Sequence, residues 1–152
     1  MQEEKSTNIN NSVPQFNVVS FKKGFIAPNI PIVTLLQGEK SYQFLLDTGS
    51  DESIINKAAL ADMEYTKKEE GNKHRLTGFG GSSEDLSLCE MTLQYKDLNI
   101  TETFLVADLT ESFIAIEQEH GIHLTGMLGS KCLRKNRFIL DFNQLIAYNE
   151  KK

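Results

Sequence analysis

An apolar stretch that runs directly into an acid, a hydroxyl and a glycine constrains this chain more than any other feature. Residues 44–50 read Phe-Leu-Leu-Asp-Thr-Gly-Ser, so a strand-forming segment delivers Asp47 into a tight turn. Aspartate is depleted in strands, and a buried carboxylate is costly unless its charge is compensated. The placement indicates an acid with a function. The alternative is that Asp47 only caps the following turn, a common role for aspartate.

Composition limits the class of protein. The chain has 152 residues, of which 39% are hydrophobic and 24% charged, as expected for one soluble globular domain with a real core. A net charge of −5 argues against a nucleic-acid partner, which requires clustered lysine and arginine. No apolar run approaches the ~20 residues of a membrane span. Cys89 and Cys132 lie far apart without metal-ligand spacing, so no metal or cofactor is implied.

The N-terminal segment differs in character from the rest of the chain. Residues 1–15 are polar and rich in Asn, Ser and Glu, which predicts a disordered or loosely held tail before a single domain at 16–152. No apolar segment typical of a signal peptide is visible. A cytoplasmic location is the default expectation, and a periplasmic or secreted location is the alternative if a signal has been removed.

From residue 16 onward the pattern is that of many short strands, without repeats. Strands are predicted at residues 16–21, 30–36, 41–46, 53–55, 99–107, 137–142 and 145–148. One or two short helices are expected among residues 57–63, 112–120 and 130–136, with Asn56 capping the first and Gly121 ending the second. Residues 64–72 are predicted to form a loop. A slip in the alternation after Leu88 predicts a β-bulge near Cys89 or Glu90.

Two further features follow the acidic turn in order. A long hairpin is predicted around a glycine-rich tip, Gly78-Phe79-Gly80-Gly81. An apolar segment, Gly126-Met127-Leu128-Gly129, then precedes a short helix. Asp-Thr-Gly alone is a weak signal because short motifs recur by chance, and the glycines taken alone favour an ordinary hairpin loop. The ordered set of three features is a strong signal.

With these features the chain resembles the retropepsin-like aspartic protease family over roughly residues 30–148. The resemblance implies an all-β fold, a closed β-barrel-like acid protease domain with one or two short helices. It also implies that Asp47, Thr48 and Gly49 form the catalytic turn and that the glycine-rich hairpin is a flap over the substrate. Met127-Leu128-Gly129 matches the family's segment that supports the catalytic turn.

The implied activity is that of an aspartic endopeptidase acting on a protein or peptide. Hydrolysis without a metal needs a general base for water and a general acid for the carbonyl oxygen. Two carboxyl groups that share one proton can supply both, and aspartic proteases are the standard example of such a pair. Asp-Thr-Gly occurs once in the chain, so the second Asp47 must come from the other subunit of a homodimer.

Candidate substrate-binding residues surround the motif. Ser50 is expected to donate a hydrogen bond to the Asp47 carboxylate, which favours its charged form and predicts an acidic pH optimum. Asp51 matches a family position that contacts the substrate backbone, although a solvated loop explains it equally well. Gly78, Phe79, Gly80 and Gly81 are expected to cover the substrate. Ile54, Phe79 and Met127 suggest apolar side-chain pockets, so apolar residues are expected on either side of the cleaved bond.

Two other functions stay open at this stage. The same fold could serve as a catalytically inactive peptide-binding or dimerisation module, because fold does not fix function. An unrelated monomeric β-barrel is the weaker alternative. The dimer interface is expected at residues 145–148, with 18–21 as the second candidate, and the insertion-like stretch 112–125 could reshape that interface or occlude the cleft.

Overall fold

The computed structural model describes residues 13–68, 74–75 and 85–152 of the chain. The strands are β1 (Phe16–Ser20), β2 (Ile32–Gln37), β3 (Lys40–Asp47), β4 (Ile54–Asn56), β5 (Thr66–Lys68), β6 (His74–Arg75), β7 (Asp85–Leu86), β8 (Leu88–Tyr95), β9 (Leu98–Ala107), β10 (Leu124–Gly129), β11 (Ile139–Asp141) and β12 (Ile146–Glu150). The α-helices are α1 (Lys22–Ile26), α2 (Thr110–His120) and α3 (Ser130–Lys135), and Lys57–Asp62 form a 3₁₀ helix.

Six strands close into a barrel. Their order is β2-β3-β10-β4-β9-β8, and β8 pairs back onto β2 to complete the ring. Strand β10 runs parallel to β3 and antiparallel to β4, while β9 runs parallel to β4. Closure removes most free sheet edges, which would otherwise attract other strands. The prediction of an all-β, barrel-like domain is confirmed.

The barrel interior is a single apolar cluster. Phe44 and Leu46 of β3 point into it, together with Leu128 of β10 and Phe104 of β9. The rings of Phe44 and Phe104 lie 5.8 Å apart in a tilted arrangement. Because neighbouring side chains on a strand point to opposite faces, the residues between these inward positions lie on the outer face of the barrel.

A second sheet joins the two ends of the domain. It has the order β1-β12-β11, with β12 in the centre and antiparallel to both neighbours. Val19 and Ala147 are registered partners, and both are buried against the barrel core. The closing hairpin predicted at 137–142 and 145–148 is confirmed in this sheet.

Several local predictions are confirmed. A two-residue turn at Gly38-Glu39 joins β2 to β3, and Gly38 adopts the positive φ of 62° that the turn requires. Helix α2 starts two residues before the predicted position and ends at Gly121, whose φ is 69°. Helix α3 lies within the predicted range 130–136. Helix α1 was not predicted.

Three local predictions are wrong. No bulge interrupts β8, since its register with β9 is continuous from Leu88 to Tyr95. The apolar pattern slips because Leu88 packs on the outer face of the barrel while Cys89 packs inside. Asn56 does not cap the 3₁₀ helix, because its Oδ1 accepts a hydrogen bond from the Leu109 N–H instead, at 3.0 Å. Part of the predicted loop 64–72 is strand β5.

Other expectations fall outside the described residues. These include most of the predicted N-terminal tail and the glycine-rich tip Gly78, Phe79, Gly80 and Gly81. The base of that hairpin is described, because β6 pairs with β7 in antiparallel register on either side of the tip. Across the ranges described, every helix is too short or too polar to cross a membrane.

Candidate active site

Asp47 lies at the point where the central parallel strand pair of the barrel ends. It is the last residue of β3, and its registered partner is Gly129, the last residue of β10. The chain then turns tightly, because the Gly49 N–H donates to Asp47 Oδ1 at 3.0 Å and the Ser50 N–H to the Asp47 carbonyl at 3.2 Å. Asp47 is half-buried, while Thr48 and Gly49 are exposed. The turn therefore presents the carboxylate at the surface of a single chain.

The first turn of α3 holds the loop that follows Asp47. The Ser130 N–H donates to the Ser50 carbonyl at 2.7 Å, and the Lys131 N–H donates to the Asp51 carbonyl at 3.1 Å. The Lys131 ammonium also forms an ion pair with Glu52, and this hydrogen bond raises the pKa of Lys131. The backbone N–H groups that open a helix lack partners within the helix, so they are free to bind loop carbonyls.

Gly129 permits this close approach. A Cβ atom at that position would lie 2.4 Å from the Glu52 carbonyl oxygen and 2.8 Å from the Ser50 carbonyl oxygen. These distances are well inside van der Waals contact, and both neighbours are backbone atoms that cannot rotate away. Only glycine fits where β10 passes beneath the Asp47 loop.

A buried hydrogen-bond chain reaches Gly129 from the side of β10 on which β4 and β9 lie. The Ser53 hydroxyl accepts from the Gly129 N–H at 3.0 Å and donates to Glu102 Oε2 at 2.8 Å. Ser53 is 2% exposed and Glu102 is 9% exposed. Glu102 Oε1 accepts from its neighbour's backbone N–H at 3.1 Å and lies 3.5 Å from the Lys135 ammonium. A buried carboxylate thus fixes the strand that supports Asp47.

The sequence interpretation did not identify Ser53 and Glu102. Glu102 occupies an inward position of β9, in phase with the buried Ile100 and Phe104. A lone acid among inward apolar positions of a strand was the available signal, because a buried carboxylate needs hydrogen-bond partners. The serine gave no comparable signal, since serines are common in loops.

We expect Ser53→Ala to destabilise the protein by about 1–3 kcal/mol, because it leaves the buried Gly129 N–H and one Glu102 oxygen without a partner. Urea unfolding followed by circular dichroism measures the change. Ser87→Ala is the matched control, since the same hydroxyl is removed there from an exposed residue. Equal stability of the two variants would contradict the role of the buried chain.

The structure places some predicted site residues differently from expectation. The Ser50 hydroxyl donates to the Glu52 carbonyl at 2.8 Å, so the predicted hydrogen bond to the Asp47 carboxylate is wrong for the single chain. Asp51 is exposed, and its Oδ1 accepts from the Glu52 N–H at 3.0 Å. This bond stiffens the loop that follows the Asp47 turn.

Ile54 and Met127 do not line an open pocket in the chain. Ile54 is 0% exposed and Met127 is 2% exposed. Both belong to a second apolar cluster on the outer face of the barrel, which also contains Phe113 of α2. The expectation of open apolar pockets at these residues is wrong, because both side chains are buried within this cluster.

The described side chains bear on two other kinds of site, a reactive cysteine and a metal centre. Cys89 and Cys132 are free and buried, and burial raises the pKa of the first thiol to about 11 and that of the second to about 12. Neither sulfur is therefore an activated nucleophile. Within residues 13–68 and 85–152, no group of three or more His, Cys, Asp or Glu side chains is arranged to hold a metal ion.

Solved structures with a similar fold are known. A retropepsin-like aspartic protease from Rickettsia conorii aligns with a TM-score of 0.50 and 10% identity, covering 92% of this chain and 95% of that chain. EIAV protease complexed with an inhibitor aligns with a TM-score of 0.45 and 23% identity, covering 72% of this chain and 89% of that chain. No protein-family model and no curated protein matches the sequence. The closed barrel, together with its likeness to the Rickettsia protein, gives this chain the fold of the retropepsin-like aspartic proteases.

Proposed function

We propose that the protein is an aspartic endopeptidase that acts as a homodimer, with Asp47 of each subunit in the active site. One observation carries the proposal: the acid of the single Asp-Thr-Gly motif stands at the end of the parallel β3–β10 pair, on a loop braced by α3 and Gly129. Such bracing on rigid elements holds a reacting group in position. The similar solved structure with the wider coverage is itself described as an aspartic protease.

The chemistry requires two such acids. One carboxylate accepts a proton from a water molecule as it attacks the peptide carbonyl, and the other carboxyl donates a proton to the carbonyl oxygen. Two carboxyl groups about 3 Å apart cannot both be ionised, so the pair holds one shared proton and titrates as a unit. The shared proton is the remaining support for an acidic optimum, since the Ser50 hydroxyl is used elsewhere.

The exposed Thr48 and Gly49 support pairing through this turn. In one chain their surfaces face solvent, although the family resemblance assigns the Thr48 hydroxyl to a buried contact across the two-fold axis. A second subunit would bury both turns together and exclude bulk water from the carboxyl groups. Exclusion of water strengthens the electrostatic interactions on which the acid pair depends.

The terminal sheet is our candidate for the rest of the interface. Val18, Tyr148 and Ile139 are registered neighbours on its outer face, and the Phe16 ring packs edge-on against Tyr148 at 5.6 Å. Val18 is 45% exposed and Ile139 is 52% exposed. The expected interface strand β12 lies in the centre of this sheet, so it would meet the partner through its face rather than its edge. Exposed apolar patches often mark protein interfaces.

The position of the Asp47 loop at the end of the barrel strands supports one mode of substrate binding. An extended peptide lying across the paired loops would bind through its backbone, and pockets for alternate side chains would supply specificity. Asp51 is exposed and follows the catalytic turn in sequence, which supports a role for its carboxylate in accepting a hydrogen bond from a substrate N–H.

Dilution tests the dimeric enzyme directly. We expect the specific activity against a mixed peptide library to fall as the protein is diluted through its dimer dissociation range, because a single chain holds half of the acid pair. Sedimentation measured over the same concentrations should show the dimer fraction falling in parallel. Val18→Lys should move both midpoints to higher concentration, because burying an unpaired charge in the interface is costly.

Leu36→Lys is the matched control for the dilution experiment. Leu36 lies on the barrel and is 40% exposed, so the same change there should leave both midpoints unchanged. Constant specific activity at concentrations where the chain is monomeric would contradict the proposal. Dimerisation without any peptide cleavage would instead favour the inactive binding module.

A further inference from the structure

A row of apolar side chains crosses the outer face of the barrel beside Asp47. Each member is the registered partner of the next across five strand pairings, so all of them share one face. In order across the barrel, the row consists of Ile32, Leu45, Met127, Ile54, Leu105 and Leu88. An outer row this apolar needs a cover.

Asp47 belongs to the same face. In β3, Phe44 and Leu46 point into the barrel, so Leu45 and Asp47 point outward. Asp47 follows Leu45 by two residues, which span about 7 Å in a strand, so Asp47 lies about that far beyond the apolar row. The surface on which a substrate side chain would lie next to the cleaved bond is therefore continuous with this row.

The segment between β9 and β10, which includes helix α2, supplies the cover. Leu109, Phe113 and Ile122 are buried in the same apolar cluster as the row, and Ile116 packs against it. Phe113 is 7% exposed although it lies on a surface helix. The start of this segment is held by the Leu109 N–H bond to the buried Asn56 side chain at 3.0 Å, and Gly121 ends the helix.

We propose that α2 is a built-in specificity element that fills the side-chain pocket beside Asp47. Phe113 occupies the space that a large apolar substrate residue would need, so the enzyme cleaves bonds flanked by small side chains such as Gly, Ala and Ser. The inference rests on the proposed endopeptidase activity and adds its substrate class. Residues far from the motif in sequence thereby determine which bond is cut.

A peptide library that carries every residue at each position tests the inference. The wild-type protein should cut mainly beside small residues. Phe113→Ala should raise the ratio of cleavage beside Leu or Phe to cleavage beside Ala by about tenfold or more, because filling a newly opened apolar pocket discriminates by such factors. Phe113→Leu, which keeps most of the filling volume, should shift the ratio far less.

Matched variants separate this effect from a general loosening of α2. Ile114 is the neighbouring residue on the same helix and is 42% exposed, so Ile114→Ala should leave the ratio unchanged. Ile116 is half-buried and packs against the same cluster as Phe113. If Phe113→Ala does not fold, Ile116→Ala should raise the same cleavage ratio. Circular dichroism and sedimentation establish that each variant compared is folded and dimeric.

The possible outcomes distinguish the two proposals. Cleavage by the wild-type protein beside large apolar residues, or a ratio that does not change in Phe113→Ala and Ile116→Ala, overturns the pocket-filling role and leaves the protease intact. A ratio that rises equally in Ile114→Ala overturns it as well. Absence of cleavage by every folded dimer overturns the proposed function and the inference with it.

Discussion

Asp47→Asn is expected to reduce peptide cleavage by about 10⁴-fold or more, because each of the two proton transfers it removes contributes about 10²–10⁴-fold. Asparagine has nearly the same shape and keeps the amide oxygen that accepts the Gly49 N–H, so the turn and the barrel should persist. The measurement is a library digest of both proteins at equal concentration. Circular dichroism and sedimentation should show the same fold and the same dimer fraction.

Asp97→Asn is the matched control for the loss of a carboxylate. Its side chain is 87% exposed and lies beyond the β8 strand, where its ion pair with Lys151 spans 3.7 Å. This variant should retain full activity. Cleavage by Asp47→Asn at more than a small fraction of the wild-type rate would exclude the acid pair as the catalytic group.

Mixing wild-type and Asp47→Asn chains tests whether one active site needs an Asp47 from each subunit. After equal amounts of wild-type and Asp47→Asn chains exchange, about one quarter of the dimers carry two Asp47 residues. Activity should therefore fall to about one quarter of that of the same total amount of wild-type protein, if a site needs both acids. A value near one half would instead mean that each chain works alone.

Gly129→Ala is expected to have the largest effect on stability and activity together. Its Cβ would lie 2.4 Å from the Glu52 carbonyl oxygen, so strand β10 and the loop must separate. We expect a loss of about 3 kcal/mol or more in the free energy of unfolding, as for severe overpacking of a core. Cleavage by the folded fraction should fall about 100-fold or more, since a displacement of about 1 Å at a catalytic group has such effects.

Gly38→Ala separates crowding from backbone strain. Gly38 has a φ of 62°, and among the described residues no atom other than those of Gly38 and its two chain neighbours lies within 4 Å of the position that its Cβ would take, so alanine there meets strain alone. Gly38→Ala should lower the free energy of unfolding by about 1–2 kcal/mol and leave the cleavage rate unchanged. Urea unfolding and the same library digest measure both variants. Equal losses of stability for the two would contradict the close approach at Gly129.

Short sequence patterns predicted the parts of the fold that depend only on residues close together in the chain. The glycine of the β2–β3 turn, the alternation in β9 and the glycine that ends α2 each act within a few residues. They therefore predicted the hairpin, the strand and the helix end correctly. The ordered motifs around Asp47 and Gly129 also predicted the acid protease barrel, because that loop and its supporting strand are built from short segments.

Contacts between distant segments decided the rest. Residues 53 and 102 are separated by 49 positions, so the hydrogen bond between Ser53 and Glu102 exists only after β4 and β9 pair. The apparent bulge in β8 had the same origin, because Leu88 packs in the outer apolar cluster, which also contains Phe113 of α2, and not in the barrel interior. Alternation along a strand cannot report which of its two faces another element will cover.

The sequence alone was enough to identify Asp47, the turn that carries it and the class of barrel. The reason is that the Asp-Thr-Gly turn and the strand before it are built from neighbouring residues. Only the tertiary structure decided what lies beside that acid. Helix α2 comes from a stretch with no catalytic motif, and Phe113 of this helix is buried in one apolar cluster with Met127 and Ile54. Burial of apolar surface selects that packing, and burial depends on the whole arrangement rather than on any one segment.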